Sequence, residues 1–129
     1  MGQPAAKQGD KIIATDMHMV TLPDGSVTTL PHQFNGTINS SLSANVKIMG
    51  LPAAMVGSTA DNTPPHVPTA PGTVFQRVPT NKATISIGST TVMINGKMAA
   101  RNGDIAQTCN DPTDLPAGTV QANGTVYIG

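Results

Sequence analysis

The sequence predicts an all-β fold built from short strands, with few helices, and three observations carry that expectation. Gly and Pro are abundant, at 13 and 11 of 129 residues, and Glu is absent. β-Branched residues alternate with polar ones, as in Ala83-Thr84-Ile85-Ser86-Ile87, which suits a half-buried pleated strand. Asn-Gly pairs at Asn35-Gly36, Asn95-Gly96, Asn102-Gly103 and Asn123-Gly124 are tight-turn signals, because both residues tolerate positive φ. No window holds a capped helical period.

Taken in order, strand-like runs fall at 15–22 and 26–30, then at 44–49, 73–78, 83–87, 90–94 and 125–128. Each is short and rich in Val, Ile, Thr or Met. Pro4, Pro52 and the Pro64-Pro65 pair punctuate the chain, and 39–44 and 111–118 read as loops.

The composition excludes several functions. Seven Lys and Arg balance seven acids, every one of them Asp, so neither the basic footprint of a nucleic-acid binder nor an acidic tail is present. Without Glu the chain lacks the general base of many zinc hydrolases and deaminases. Phe34, Phe75 and Tyr127 are the only aromatic residues, too few for a base-stacking or sugar-stacking surface. Apolar residues make up 38%, a thin core that calls for a staple. Cys109 is alone and cannot form an internal disulfide, so the staple must be a metal or a partner chain.

An internal repeat organises the chain. Val46-Lys-Ile-Met-Gly-Leu-Pro-Ala-Ala-Met-Val-Gly-Ser58 lies over Val92-Met-Ile-Asn-Gly-Lys-Met-Ala-Ala-Arg-Asn-Gly-Asp104, identical at the Val, the Ile, two Gly and the Ala-Ala pair. A third copy, Pro4-Ala-Ala-Lys-Gln-Gly-Asp10, opens the protein. Three copies predict pseudo-threefold shape. Behind each lies a potential metal ligand: His18 nine residues after Gly9, His66 nine after Gly57, and Cys109 six after Gly103.

His18, His32, His66 and Cys109 are the full set of imidazole and thiol groups, and three imidazoles with one thiolate complete a tetrahedral zinc shell. The plainer alternative is three surface histidines and a small buried Cys. The repeat phase favours zinc, with three equivalent loops bringing the ligands to one axis. Asp16 could support His18 from behind, although an Asp near a strand start is more often a turn residue. Six methionines (Met17, Met19, Met49, Met55, Met93 and Met98) admit a copper reading, but their positions suit gap filling.

Pro4-Ala5-Ala6-Lys7, the Val92–Asp104 copy and the three-His, one-Cys set together resemble the PAAR proteins, named for a Pro-Ala-Ala-Arg repeat. The resemblance implies a pointed β-cone, a three-sided pyramid with a metal near its apex, that caps the trimeric spike of a contractile injection system. Type VI secretion, phage-tail-like and extracellular particles all use such tips. It implies one structural zinc on His18, His32, His66 and Cys109, no catalysis and no nucleic-acid partner. One monomer would cap the spike through a wide base that includes 73–78 and 83–94, touch the target membrane transiently and, as in some members of the family, carry effectors. No copy is a perfect Pro-Ala-Ala-Arg: Lys7 and Met55 stand for Arg, Met98 for Pro, and the middle copy lacks the final Asp. Residues 1–129 are expected to form one tip domain without a fused effector. The polar N-terminus carries no signal peptide, so the chain should be made in the bacterial cytoplasm and leave with the particle. A small zinc-binding module or zinc hydrolase unrelated to a spike is the competing expectation.

Overall fold

A computed structural model describes residues 2–129. As expected, the fold is all-β, with no helix among the described residues. Six strands close into a ring: β2 (Lys11–Thr21), β3 (Val27–Ser40), β6 (Thr59–Asn62), β8 (Lys82–Ile85), β11 (Ile105–Thr108) and β12 (Leu115–Gln121). Every neighbour is antiparallel, and β12 returns to pair with β2 through Val120 opposite Ile12. Within the ring each of the six strands has a neighbour on both sides, and six strands enclose very little space.

That narrowness explains the residues inside. Phe34, Ile12, Ile38, Ile85 and Val120 fill the interior beside Ala60, Ala83 and Ala106. Gly36 and Gly118 face inward, and a Cβ on Gly36 would come 2.6 Å from the Phe34 ring. Asn35-Gly36, expected as a turn, therefore lies within β3, where glycine supplies room rather than a positive φ. The strands β6, β11 and β12 also correct the sequence reading, which treated 111–118 as a loop. The inward residues Ala60 and Ala106 carry no strong strand propensity; closure of the ring is what buries them.

The repeat lies beneath the ring as three β-hairpins. β4 (Lys47–Ile48) pairs with β5 (Leu51–Pro52), and β9 (Met93–Ile94) with β10 (Lys97–Met98). The third hairpin joins the two chain ends, β1 (Gln3–Pro4) against β13 (Tyr127–Ile128). Val126-Tyr127-Ile128 is thus the missing first half of the Pro4 copy. Bridges Ala5–Arg101, Lys7–Ala53 and Met55–Ala99 link each copy to another in a cycle. The amides of Ala6, Ala54 and Ala100 donate to the carbonyls of Ala100, Ala6 and Ala54 at 2.9, 3.0 and 3.1 Å. The Ala-Ala pair is required because three backbones meet here. One alanine of each pair packs upward into the ring core, and the other packs downward with Ile48, Ile94 and Ile128.

The middle copy's departure from the pattern is absorbed by a hydroxyl. Asp10 accepts from the Lys7 amide at 3.0 Å and Asp104 from the Arg101 amide at 2.7 Å, while Ser58 Oγ accepts from the Met55 amide at 3.1 Å. The turns that follow place Gly9, Gly57 and Gly103 at φ of 92°, 98° and 89°, where a side chain would be strained.

Candidate metal centre

Above the level of Asn62 and Thr108 only the β2–β3 hairpin continues, because its strands are 11 and 14 residues long and β6, β8 and β11 have four each. Residues 63–81 and 109–114 fold against it and make the narrow end. β7 (Val74–Phe75) pairs with the far end of β2, Val20 opposite Phe75. The segment 73–78, expected in the wide base, is therefore at the opposite end of the molecule. Phe75 is the residue of this segment that packs inward, while Thr73, Val74 and Val78 stay exposed.

Alternation along β2 turns Ile12, Asp16, His18 and Val20 inward, and along β3 His32, Phe34 and Ile38. The interior is thus apolar near the repeat ring and polar toward the narrow end. His66 follows β6 by four residues, and Cys109 immediately follows β11. Two of the expected donors are strand residues of one hairpin, so the expected three equivalent loops give way to one long hairpin and two shorter loops.

The three imidazoles form a triangle, with ring centroids 5.4 Å apart for His18–His32, 5.1 Å for His18–His66 and 5.5 Å for His32–His66. Phe75 closes it from the side, 5.7 Å from His18 and 5.2 Å from His32. Donor atoms of His18, His66, Cys109 and Asp16 lie within 4.8 Å of one another. His32 stands next to them with both nitrogens engaged: Nδ1 lies 2.9 Å from the Leu30 carbonyl, and Nε2 accepts from the Thr69 amide at 3.1 Å.

Asp16 is the residue that sequence reasoning set aside. It is fully buried; Oδ2 accepts from His66 Nε2 at 2.9 Å and from the Cys109 thiol at 3.4 Å, and Oδ1 accepts from the Thr108 hydroxyl. The signal that finds it is the inward alternation shared with His18. His66 is further held by Asn62 Nδ2, 3.3 Å from Nδ1, and by its amide on Asn81 Oδ1 at 2.8 Å.

The donor chemistry fits a metal ion. His18 is 0% exposed and neither ring nitrogen has a hydrogen-bond partner; the closest carboxylate is Asp111 Oδ2, 3.4 Å from Nδ1. Leaving a buried polar group unpaired costs about 1–3 kcal/mol, which an ion at this point would offset. Burial pushes the pKa of His18 and His32 below the ordinary imidazole value, keeping both neutral and able to ligate. Burial, then the neighbouring Asp16 carboxylate, raises the Cys109 thiol to about 11, so without an ion it stays protonated at neutral pH. An open groove of about 610 Å³ between β3 and the proline-rich segment 63–70 reaches His32 and His66 from solvent.

The architecture is a closed β-cone on a threefold repeat, with His, Cys and Asp donors gathered beneath its narrow end. A family model described as the PAAR motif matches residues 28–109, more than half of the chain, and the chain belongs to that family. The match takes in two complete repeat copies with His32, His66 and Cys109, and begins after His18. The family is a structural one, associated with the spike tips of contractile injection systems. A comparison with curated proteins gives no match.

Proposed function

We propose that this protein is the non-catalytic tip that caps and sharpens the trimeric spike of a contractile injection system, one monomer on three spike chains. The observation that carries the reading is the cyclic base: three equivalent hairpins set around one axis by a single chain. The blunt end of a trimer offers three equal surfaces, and an internally threefold monomer can meet all of them at once. Met49, Leu51, Met93 and Tyr127 are exposed on those hairpins and supply apolar contact, beside the exposed Lys47 and Lys97.

One zinc ion, held by His18, His32, His66 and Cys109, would tie the narrow end together. Apolar burial is least available there, and structural zinc contributes on the order of 10 kcal/mol in small domains. A tip pushed against a membrane needs that cohesion. In this reading residues 1–129 act as one unit, made in the bacterial cytoplasm, assembled on the particle and delivered with it, with effectors attached in some settings.

Native mass spectrometry of the tip mixed with its trimeric spike tests the reading, with one tip per trimer expected. Met93→Asp on the base should weaken the complex strongly, and Val78→Asp at the narrow end should not. Three tips per trimer, or loss of binding from Val78→Asp alone, would overturn it.

A further inference from the structure

Among the described residues, Asp16 is the one buried carboxylate with no lysine or arginine partner. Asp10 pairs with Lys7, Asp61 with Lys82, Asp104 with Arg101 and Asp111 with Arg77, while Asp24 and Asp114 are exposed. Four donors converge on Asp16: His66 Nε2, the Cys109 thiol, the Thr108 hydroxyl and Asn110 Nδ2, the last at 3.4 Å. Surroundings made only of donors suit an ionised carboxylate, yet none of the four is a permanent cation. A buried charge without a counter-charge is strongly disfavoured. On the other side of the same cluster, His18 presents two buried nitrogens with no partner.

We propose that Asp16 is the counter-charge of the metal centre and the residue that makes it prefer a divalent ion to a monovalent one. The proposal rests on the zinc reading above. A divalent ion with the Cys109 thiolate and the Asp16 carboxylate makes a neutral buried unit, since the histidines add no charge. Cu(I) in the same place leaves one net negative charge shielded from water. Nitrogen and sulfur donors accept both ions, so donor type does not discriminate between them. Asp111 adds nothing to this balance, because Arg77 Nη2 and Nε lie 3.0 and 3.1 Å from its Oδ1.

The test is a pair of anaerobic competition titrations on the full chain, Zn(II) against one chromophoric chelator and Cu(I) against another. Wild type should take up one zinc. Asp16→Asn should weaken zinc about 10–100-fold, the usual range for an outer partner of a metal site, with Cu(I) unchanged or tighter. Asp16→Glu should restore the wild-type ratio of the two affinities. Arg77→Met, at a half-exposed side chain, frees the Asp111 carboxylate and should move the ratio further toward zinc without touching the barrel. Equal weakening of both ions by Asp16→Asn, or a ratio indifferent to Arg77→Met, overturns the proposal. A wild type that takes up no zinc removes the zinc reading and this one with it; normal uptake with an unmoved ratio removes only the role of Asp16.

Discussion

His18 and Cys109 titrate in opposite senses, and between them they set a pH window for the metal-free protein. Burial lowers the folded pKa of His18 and His32 below their ordinary 6.5, so below that pH the unfolded chain binds protons that the fold refuses. Stability is therefore full above about 6.5 and falls as the pH drops through it. Cys109 works the other way: its ordinary value of 9.0 rises to about 11, so stability is lost as the pH climbs through that interval. Urea unfolding of the chelator-stripped protein should show a plateau near pH 7–8.5, with lower midpoints near pH 5 and pH 10.5. A midpoint that keeps rising below pH 6 would contradict the assignment. Gly36 makes a second residue-scale case. Gly36→Ala should destabilise by about 1–3 kcal/mol through overpacking against Phe34 and Ala60, although its backbone angles are ordinary. Thermal melting of Gly36→Ala beside Gly36→Ala/Phe34→Leu checks this, with partial recovery expected in the double variant.

The base hairpins are the elements on which the fold turns. Two are local and close through Met49-Gly50 and Asn95-Gly96, all four residues at positive φ, as a two-residue hairpin turn requires. The third has no turn of its own and holds only because Gln3–Pro4 finds Tyr127–Ile128. Removing residues 126–129 takes away the acceptor of the Ala5 amide, the Val126 carbonyl 2.8 Å away, and uncovers Ile48 and Ile94. That truncation should lower the melting temperature by several degrees and abolish spike binding, while near-wild-type zinc content persists at the other end. Calorimetry and elemental analysis on one preparation separate the two effects. Loss of zinc in step with the hairpin would show that base and narrow end do not fold independently.

At the scale of the whole molecule the interior is graded, apolar within the repeat ring and the lower barrel and polar beneath the narrow end. The barrel core gathers Ile12, Phe34, Ile38, Ile85 and Val120, whereas of residues 63–81 and 109–114 only Cys109 belongs to it. Metal removal should therefore open the molecule from the narrow end. Hydrogen exchange after treatment with a strong chelator should speed up at 63–81 and 109–114 first, with β8, β11 and the repeat ring still protected. Uniform acceleration along the chain, or none after confirmed metal loss, would contradict the graded picture.

By itself the sequence determined the all-β class, the threefold repeat and the roster of soft donors. Each of these is written in local patterns: Asn-Gly turns, β-branched alternation, Ala-Ala pairs in phase, and a short inventory of His and Cys. Only the tertiary structure decided where those pieces meet. The joining of Tyr127–Ile128 to Gln3–Pro4 and the short strands carrying Ala60 and Ala106 depend on ring closure, a long-range event that leaves no local mark. The same holds at the candidate metal centre. Sequence spacing named His18, His32, His66 and Cys109, but the inward face of a closed barrel put Asp16 among them and tied His32 to the Thr69 amide. A strand's alternation says which residues share a face; the closure of the sheet says what that face surrounds.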